Sequence, residues 1–383
     1  MRICMMAPWP SVHTDFWLKA AEDLGHEVHF LRIGALQGDS FPPGVQVHLL
    51  EPRRPMGLRY TGQISLGIQL HRFLQRTRPD VLHIHTVFGY RRWMELPWLW
   101  PLYHYHPLVI TAWGGDLMVS PKASKFTRLL IQFALRSADM VLAASTPMLD
   151  AAHDLGVPRN RLHEMQFGID TNLFSPIQET DLLRSDLNLG LGPVVYSPRA
   201  FTPTYNQLAI AEAIPKVLQA IPECRFLFQR RSDFHRPDYE SQVQQILARS
   251  GVNHAARILN PMKYADMPRY YALSDVIVSV ASHEGMPRSV LEAMACGAFP
   301  IVGDLPALRE WITDRENGLI LNSVEPTQIA DAILNVLSDK TLTQKAAKIN
   351  RGIIEEHFSG SYWLHKLDEL YKEVAREKRE SRA

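Results

Sequence analysis

Two glutamates, Glu284 and Glu292, are the residues whose types and spacing most directly suggest chemistry. They enclose the segment EGMPRSVLE. The preceding run DVIVSVAS, residues 275–282, has the β-branched residues and the length of a buried parallel strand. Glu284 should therefore follow the carboxyl end of this strand, the edge at which open α/β sheets bind ligands. Taken alone, a glutamate pair at this spacing is more often a pair of ordinary loop and helix carboxylates.

A short helix is predicted within and just beyond this segment. Pro287 suits the first turn of a helix, good helix formers follow it, and Gly297 can take the left-handed conformation at its end. The helix should therefore run roughly over residues 288–296. Unpaired N–H groups near Ser289 and Val290, with the positive end of the helix dipole, can hold a phosphate without a metal ion. Glu292, further along the helix, has lone pairs for two neighbouring hydroxyls such as those of a ribose.

Two longer stretches carry a resemblance to a known family. Residues 282–321 read SHEGMPRSVLEAMACGAFPIVGDLPALREWITDRENGLIL, and residues 154–176 read DLGVPRNRLHEMQFGIDTNLFSP. Both resemble the retaining glycosyltransferases of family four. The resemblance implies a GT-B fold, in which two Rossmann-like, doubly wound parallel-sheet domains face a cleft and a C-terminal helix crosses back onto the first domain. It also implies transfer of a sugar from a nucleoside-diphosphate sugar to an acceptor hydroxyl.

The order of apolar runs predicts an α/β architecture in two domains. Short strand-like runs alternate with helical patterns through both halves, which predicts parallel sheets flanked by helices. The turn residues GLGP at 190–193 end the region between the halves. We therefore expect an acceptor domain at residues 1–185, a nucleotide-sugar donor domain at 186–355 and a returning helix at 356–383.

The resemblance assigns donor-site roles to several residues. Glu284 would orient the sugar, Glu292 would bind the ribose, and Arg199, just after the strand PVVYSP, would neutralise the departing diphosphate. The implied donor-contacting residues are Glu284, Gly285, Met286, Ser289, Val290, Glu292 and Arg199.

One phosphate-binding position departs from the family pattern. The segment TPTYNQ, residues 202–207, has no lysine where the family generally carries one a few residues beyond the arginine. Arg230 and Arg231, at the end of the strand FLFQ, could supply the charge from the same sheet edge. A merely exposed arginine pair explains them as well.

The first domain carries the acceptor-side candidates. In TAWGGDLM, Trp113 stands where the family commonly has a sugar-contacting histidine, and Asp116 stands at the matching acidic position. Asp116 could be catalytic by accepting the acceptor's proton, or it could cap the following turn. His13 is a further candidate, as is His85, which lies nearest the carboxyl end of the strand DVLHIHT. His83 shares a face with His85 and is better explained as a buried, hydrogen-bonded histidine.

Composition indicates two globular domains without a nucleic-acid partner. The chain has 383 residues, 46% hydrophobic and 21% charged, enough for two cores. Its 41 basic and 40 acidic residues give a net charge of +1, so no overall field favours nucleic acid. Cys4, Cys224 and Cys296 lack disulfide or zinc spacing and predict reduced thiols. No metal site and no cofactor besides the donor substrate is expected.

The amino terminus lacks a cleavable signal pattern, and no segment has the length of a membrane span. We therefore expect a cytoplasmic protein, either free or at the inner face of the membrane. Residues 89–108, GYRRWMELPWLWPLYHYHPL, combine Arg91 and Arg92 with tryptophan and tyrosine, a mixture suited to anionic headgroups. The alternative is that these aromatics pack in the core of the first domain. Glycan and lipid-linked acceptors both stay open.

The sequence thus favours a retaining, metal-independent glycosyltransferase acting in polysaccharide, cell-envelope or lipid-linked glycan synthesis. Two alternatives are a GT-B sugar-nucleotide epimerase and a degenerate protein that binds nucleotide-sugar without turnover. A NAD-dependent dehydrogenase is disfavoured, because no Gly-x-Gly-x-x-Gly follows the first strand.

Overall fold

The structure is a computed structural model that describes two compact units. It covers residues 1–7, 12–33, 41–52, 61–87, 96–166, 168–176, 179–231 and 236–380, apart from the side chains at positions 12, 13, 15, 61, 96–98 and 379. Unit 1 comprises Met1–Phe167 and Ser361–Ala383, and unit 2 comprises Gly168–Gly360.

Unit 1 is built on a seven-stranded sheet in the order β3-β2-β1-β4-β5-β6-β7. All neighbouring strands pair in parallel, as the alternating pattern predicts. The strands are β1 Arg2–Met6, β2 Glu27–Ile33, β3 Val45–Leu50, β4 Val81–His85, β5 Leu108–Thr111, β6 Met140–Ala143 and β7 Leu162–Glu164.

Helices cover both faces of this sheet. They are α1 Val12–Asp23, α2 Thr61–Thr77, α3 Leu96–Tyr103, α4 Gly115–Met118, α5 Lys125–Ser137 and α6 Thr146–Asp154, with 3-10 turns at Ser120–Lys122 and Arg159–Arg161. Successive residues of β1 point to opposite faces, so Cys4 and Met6 join one core with α2, α3, α5 and α6. Ile3 and Met5 join the other core, which α1 and the C-terminal helix cover.

Unit 2 repeats the architecture with a six-stranded parallel sheet in the order β10-β9-β8-β11-β12-β13. Its strands are β8 Val194–Ser197, β9 Arg225–Gln229, β10 Ala256–Leu259, β11 Val276–Ser279, β12 Phe299–Gly303 and β13 Leu319–Leu321. Its helices are α7 Asp181–Asp186, α8 Gln207–Ala220, α9 Pro237–Arg249, α10 Met267–Leu273, α11 Arg288–Ala295, α12 Pro306–Arg309, α13 Pro326–Ser338 and α14 Lys340–His357. Its 3-10 turns are Pro203–Tyr205, Asn253–Ala255 and Tyr264–Asp266.

The boundary between the units lies at Gly168, earlier than the predicted boundary near residue 185. Residues 168–176 belong to unit 2 because they pack on its last helix: Ile169 pairs with Ser359, and Arg351 donates to the carbonyls of Thr171 and Phe174. Turn residues mark where a chain bends, but they do not show which unit holds it.

The two ends of unit 2 also lie against each other. A Cβ on Gly168 would stand 2.5 Å from the Cα of Gly360, so only glycine fits at that crossing. Unit 2 accordingly extends to Gly360, beyond the predicted end at residue 355.

The last helix, α15 Gly360–Glu380, belongs to unit 1 from Ser361 onward. Tyr371 on α15 shares a hydrogen bond of 2.6 Å with Nδ1 of His83, whose Nε2 bonds Oγ1 of Thr111 over 2.7 Å. His83 is fully buried and hydrogen-bonded at both nitrogens, which confirms its predicted structural role.

Cys4, Cys224 and Cys296 are free and buried. Within the described ranges, no helix is long and apolar enough to cross a membrane.

Candidate functional site

The strand order in unit 2 reverses between β8 and β11, which pair directly. Such a reversal leaves a crevice at the carboxyl ends of the two strands. Arg199 follows the end of β8 at Ser197, and Glu284 follows the end of β11 at Ser279. The predicted place of Glu284 beyond its strand is therefore confirmed, and both side chains reach the same edge of the sheet.

Arg199 connects Glu284 to the first turn of α11. Its Nη2 donates to Oε1 of Glu284 in a short ion pair, and its Nη1 donates to Oγ of Ser289 over 2.6 Å. Its Cζ also lies 4.1 Å from the ring centroid of Tyr205, within the range of a cation–π contact. Three different groups thus fix the buried guanidinium.

Burial and charge act in opposite directions on this ion pair. Burial raises the pKa of Glu284, while the charge and hydrogen bond of Arg199 lower it in part. For Arg199, burial lowers the pKa, but the charge of Glu284 and the interactions with Glu284 and Tyr205 together outweigh burial and raise it overall. Oε2 of Glu284 and Nε of Arg199 are buried without a hydrogen-bond partner among the described residues. One acceptor and one donor of the pair are therefore left for a ligand.

In the first turn of α11, one of the N–H groups that we expected to be unpaired already has a hydrogen-bond partner. The helix begins at Arg288 after Pro287, and Gly297, just past its end, has a left-handed φ of 87°, as the sequence indicates. However, the N–H of Val290 donates to the carbonyl of Pro287 over 2.9 Å. Val290 is therefore not the free phosphate donor that we expected, because a tight first turn satisfies its N–H. The hydroxyl of Ser289 still faces Arg199.

The turn between Glu284 and α11 is buried. Gly285 has little exposed surface, and Met286 is 8% exposed. The roles of both residues around a donor sugar stay predictions.

Glu292 lies in a network that sequence reasoning missed. Its Oε1 accepts from the hydroxyl of Tyr264 over 2.9 Å, and its Oε2 accepts from Tyr271 over 3.0 Å. Arg288, one turn earlier on α11, has its Nε 3.0 Å from Oε1 and donates to the Tyr264 hydroxyl over 2.5 Å. Both carboxylate oxygens therefore already accept hydrogen bonds, and a ribose would have to share or replace a tyrosine. The spacing of Arg288 and Glu292 on one helix face is the part that the sequence could have revealed.

Arg230 and Arg231 have different surroundings. Arg230 donates to both carboxylate oxygens of Glu240, over 2.9 and 2.5 Å, and to Oδ1 of Asn260 over 2.7 Å. Its guanidinium is thus already bound by Glu240 and Asn260. Burial raises the pKa of Glu284, and the charge of Arg231, by contrast with Arg230, partly opposes that rise. Arg231 is consequently the one of the two that acts on the candidate site.

Asp116 has a structural environment in unit 1. Its Oδ2 accepts from Oγ1 of Thr86 and the N–H of Val87, and its Oδ1 accepts from the N–H groups of Trp113 and Gly114. Burial raises its pKa, and these four hydrogen bonds lower it in part. The carboxylate therefore closes the loop before α4, which favours the turn-capping interpretation over the catalytic one.

His85 stands out among the acceptor-side candidates. It is buried, and neither ring nitrogen has a hydrogen-bond partner among the described residues. The rings of Trp17 and Trp113 lie 5.3 and 6.2 Å from it. Burial lowers the pKa of His85 to about 3, so its imidazole is neutral near pH 7. His13 lies in α1, but its side chain is outside the described part of the structure.

No group of three His, Cys, Asp or Glu side chains within the described ranges is arranged to hold a metal ion. The absence of a metal requirement stays a prediction.

Two family models match the chain. Residues 183–352 match the model described as glycosyl transferases group 1, and residues 2–145 match the model described as glycosyl transferase 4-like. The first match contains all six strands of unit 2, and the second contains β1–β6 of unit 1.

Individual proteins of known activity or structure are also similar. N-acetyl-alpha-D-glucosaminyl L-malate synthase of Bacillus anthracis is 20% identical over 94% of this chain and 92% of its own length. Anabaena HepE, solved in complex with UDP-glucose, aligns with a TM-score of 0.79 and 17% identity over 98% of this chain and 100% of its own. Sucrose-phosphate synthase of Thermosynechococcus elongatus aligns with a TM-score of 0.78 and 17% identity, covering 98% and 99%. These alignments establish the same fold across both units.

Proposed function

Because the chain belongs to the group 1 glycosyltransferases and has their GT-B fold, we propose that it transfers a sugar from a nucleoside-diphosphate sugar to an acceptor hydroxyl. The observation that carries the proposal is the bridge from Glu284 through Arg199 to Ser289 at the edge of unit 2. There the carboxylate of Glu284, which can accept from sugar hydroxyls, lies beside the guanidinium of Arg199, which can bind phosphate. The similarity to HepE, which binds UDP-glucose, supports this class of donor.

Arg199 supplies the positive charge that the leaving diphosphate requires. As the bond between the anomeric carbon and the phosphate oxygen breaks, negative charge grows on that oxygen, and a preorganised guanidinium stabilises it. Ser289 and the positive end of α11 hold the same group by hydrogen bonding and dipole. Arg231 adds charge in the same region. These residues perform the task without assistance from a metal ion.

Glu284 orients the transferred sugar through its second oxygen. Its Oε1 is held by Arg199, which leaves the buried Oε2 to accept from a sugar hydroxyl. Binding of the diphosphate by Arg199 and of the sugar by Glu284 is then coupled through one ion pair. Glu292 binds a ribose hydroxyl through a lone pair of an oxygen that it shares with the hydroxyl of Tyr264 or Tyr271, which stays in place.

The reaction retains the configuration at the anomeric carbon. The acceptor oxygen forms its new bond on the face from which the diphosphate departs, and the leaving phosphate oxygen takes the acceptor's proton. This route requires no nucleophile from the protein, so it agrees with Trp113 in place of a histidine and with an Asp116 already engaged by four donors. His85 offers a neutral imidazole to an acceptor hydroxyl in unit 1. The acceptor is a glycan or a lipid-linked glycan.

Donor turnover tests this proposal. The protein is incubated with UDP-, GDP- and ADP-sugars in EDTA, with and without alkyl glycosides as acceptors, and proton NMR follows the products. We expect one donor to yield a glycoside with the donor's anomeric configuration, and slow hydrolysis without an acceptor. Conversion of the donor to its epimer without an acceptor would instead indicate an epimerase. Binding of a donor with neither transfer nor hydrolysis would indicate a degenerate binding protein, and a strict need for divalent metal would refute the metal-independent mechanism.

A further inference from the structure

Large apolar side chains are exposed on one side of unit 1. Their exposed fractions are 64% for Trp100, 52% for Phe126, 62% for Leu129 and 43% for Phe133. The last three follow one face of α5, while Ile131, Ala134 and Leu135 on the opposite face are buried in the core. Thus α5 is apolar on both sides, although only one side packs against the protein. Monomeric proteins seldom expose such a cluster without a use for it.

Ring contacts join α3 and α5 into one surface. His104 stacks on Trp100 with centroids 3.6 Å apart, and Phe133 lies 6.3 Å from His104 and 6.0 Å from Tyr103. We call the surface formed by Trp100, Phe126, Leu129 and Phe133 the α3–α5 face.

The charges beside this surface have one sign. Lys122, Lys125 and Arg128 are exposed at the start of α5. Between residues 96 and 138 the only acidic residue is Asp116, which is buried and fully engaged in hydrogen bonds. The whole chain, by contrast, carries 41 basic and 40 acidic residues. The cations are therefore concentrated next to the apolar residues rather than distributed evenly.

We propose that the α3–α5 face binds the surface of an anionic lipid bilayer. Exposed aromatic and leucine side chains enter the headgroup and acyl boundary, and neighbouring lysine and arginine side chains attract anionic headgroups. The absence of exposed carboxylates from residues 96–138 removes the repulsion that such a surface would meet. This inference goes beyond sugar transfer and does not depend on it.

The structure also refines the sequence prediction for residues 89–108. Tyr103 is 2% exposed, so the core interpretation holds for this residue, while Trp100 is exposed and its membrane interpretation stays a prediction. Residues 89–95, including Arg91 and Arg92, lie outside the described residues. The residues suited to membrane binding lie instead on α5, whose sequence contains two phenylalanines, two leucines before Ile131 and two basic residues in its first turn.

Vesicle co-sedimentation of the full chain tests the proposal. We expect binding to vesicles of phosphatidylglycerol, little binding to phosphatidylcholine, and weaker binding at high salt. The double variant Phe126→Ser/Leu129→Ser should lower the apparent partition coefficient at least tenfold. The triple variant Lys122→Gln/Lys125→Gln/Arg128→Gln should lower it by on the order of a hundredfold, since each basic residue near such a surface contributes roughly fivefold.

A matched control lies in unit 2. Leu182→Ser/Leu191→Ser removes two exposed leucines, 70% and 100% exposed, without touching the α3–α5 face, and should bind vesicles as the wild type does. Circular dichroism and soluble-donor binding verify that each variant is folded. Absence of wild-type binding to phosphatidylglycerol, or equal loss in the control, would overturn the proposal. So would a concentration-dependent dimer that Phe126→Ser/Leu129→Ser abolishes without any vesicle binding, because a second copy would then cover the face.

Discussion

The guanidinium of Arg199 is shared between the carboxylate of Glu284 and the hydroxyl of Ser289. The three side chains come from the ends of two neighbouring strands and from the first turn of the helix after one of them. The proposed phosphate-binding role of Arg199 and the proposed sugar-binding role of Glu284 are therefore mechanically linked, because movement of the arginine would alter both.

Replacement of Arg199 by alanine should lower donor turnover by roughly ten- to a thousandfold, since the departing diphosphate loses its preorganised cation. Arg199→Lys should recover only part of the rate, because lysine keeps the charge but cannot hold Glu284 and Ser289 at once. Rates of donor hydrolysis at saturation measure both effects. Arg249→Ala, an exposed arginine of the same unit, serves as the control and should leave the rate unchanged.

Glu284→Gln should mainly lower turnover, because the amide no longer neutralises the positive charge of Arg199. The affinity for nucleoside diphosphate should stay within severalfold, because the amide oxygen still accepts a hydrogen bond. The pKa of Glu284 is raised by burial, so the ionised site should be lost, as pH falls, at a higher pH than for an ordinary glutamate. The turnover-against-pH profile should show this acid limb in the wild type. A profile of identical shape in Glu284→Gln would assign the limb to another group.

Tyr264→Phe should weaken donor binding by several- to tenfold, because the Tyr264 hydroxyl holds both Arg288 and Glu292. Glu292→Gln should weaken it further by removing the negative acceptor itself. Titration calorimetry with the preferred nucleoside diphosphate gives both affinities. Tighter binding in Tyr264→Phe would mean that this hydroxyl competes with the ribose and that its removal frees an oxygen of Glu292.

His85 should make unit 1 sensitive to acid. Its pKa is about 3 in the folded protein and near 6.5 in the unfolded chain, so the unfolded state binds more protons between these values. The contribution of His85 to the free energy of unfolding is thus fully present above about pH 6.5 and falls as the pH drops toward 3, by up to roughly 5 kcal/mol. Thermal unfolding at pH 7.5 and 5.0 measures the difference. It should shrink in His85→Gln, and an unchanged difference would show that other groups cause the acid sensitivity.

Tyr371→Phe should destabilise unit 1 by about 1–3 kcal/mol, because Nδ1 of the buried His83 loses its partner. Urea unfolding measures this change. The control is Tyr362→Phe on the same helix, where the side chain is 54% exposed and should matter little. Equal effects of the two substitutions would argue against an anchoring role for Tyr371.

The sequence predicts best where one local pattern determines the outcome. The β-branched run before Glu284 predicts β11, and Pro287 and Gly297 predict the start and end of α11. Alternation along β4 predicts that His83 and His85 share a face, and their rings lie 4.3 Å apart. Each of these inferences depends on neighbours in sequence.

The sequence is less informative where distant residues decide the outcome. Glu292 is engaged by Tyr264 and Tyr271, whose positions depend on the packing of α10 beside α11. Asp116 is engaged by Thr86, which belongs to the end of another strand. The unit boundary at Gly168 follows from contacts with the end of α14, far along the chain. No local periodicity contains this information.

Titration calorimetry of nucleoside diphosphates and their sugar conjugates, in EDTA, can show whether Arg199 and Glu292 bind the donor. Wild-type protein, Arg199→Ala, Glu292→Gln and the exposed-site control Glu356→Gln are compared. We expect that one nucleotide binds the wild type and the control equally, and binds the two site variants at least tenfold more weakly. Equal affinity in all four proteins, or no binding of any donor to the folded wild type, would contradict the assignment of this site.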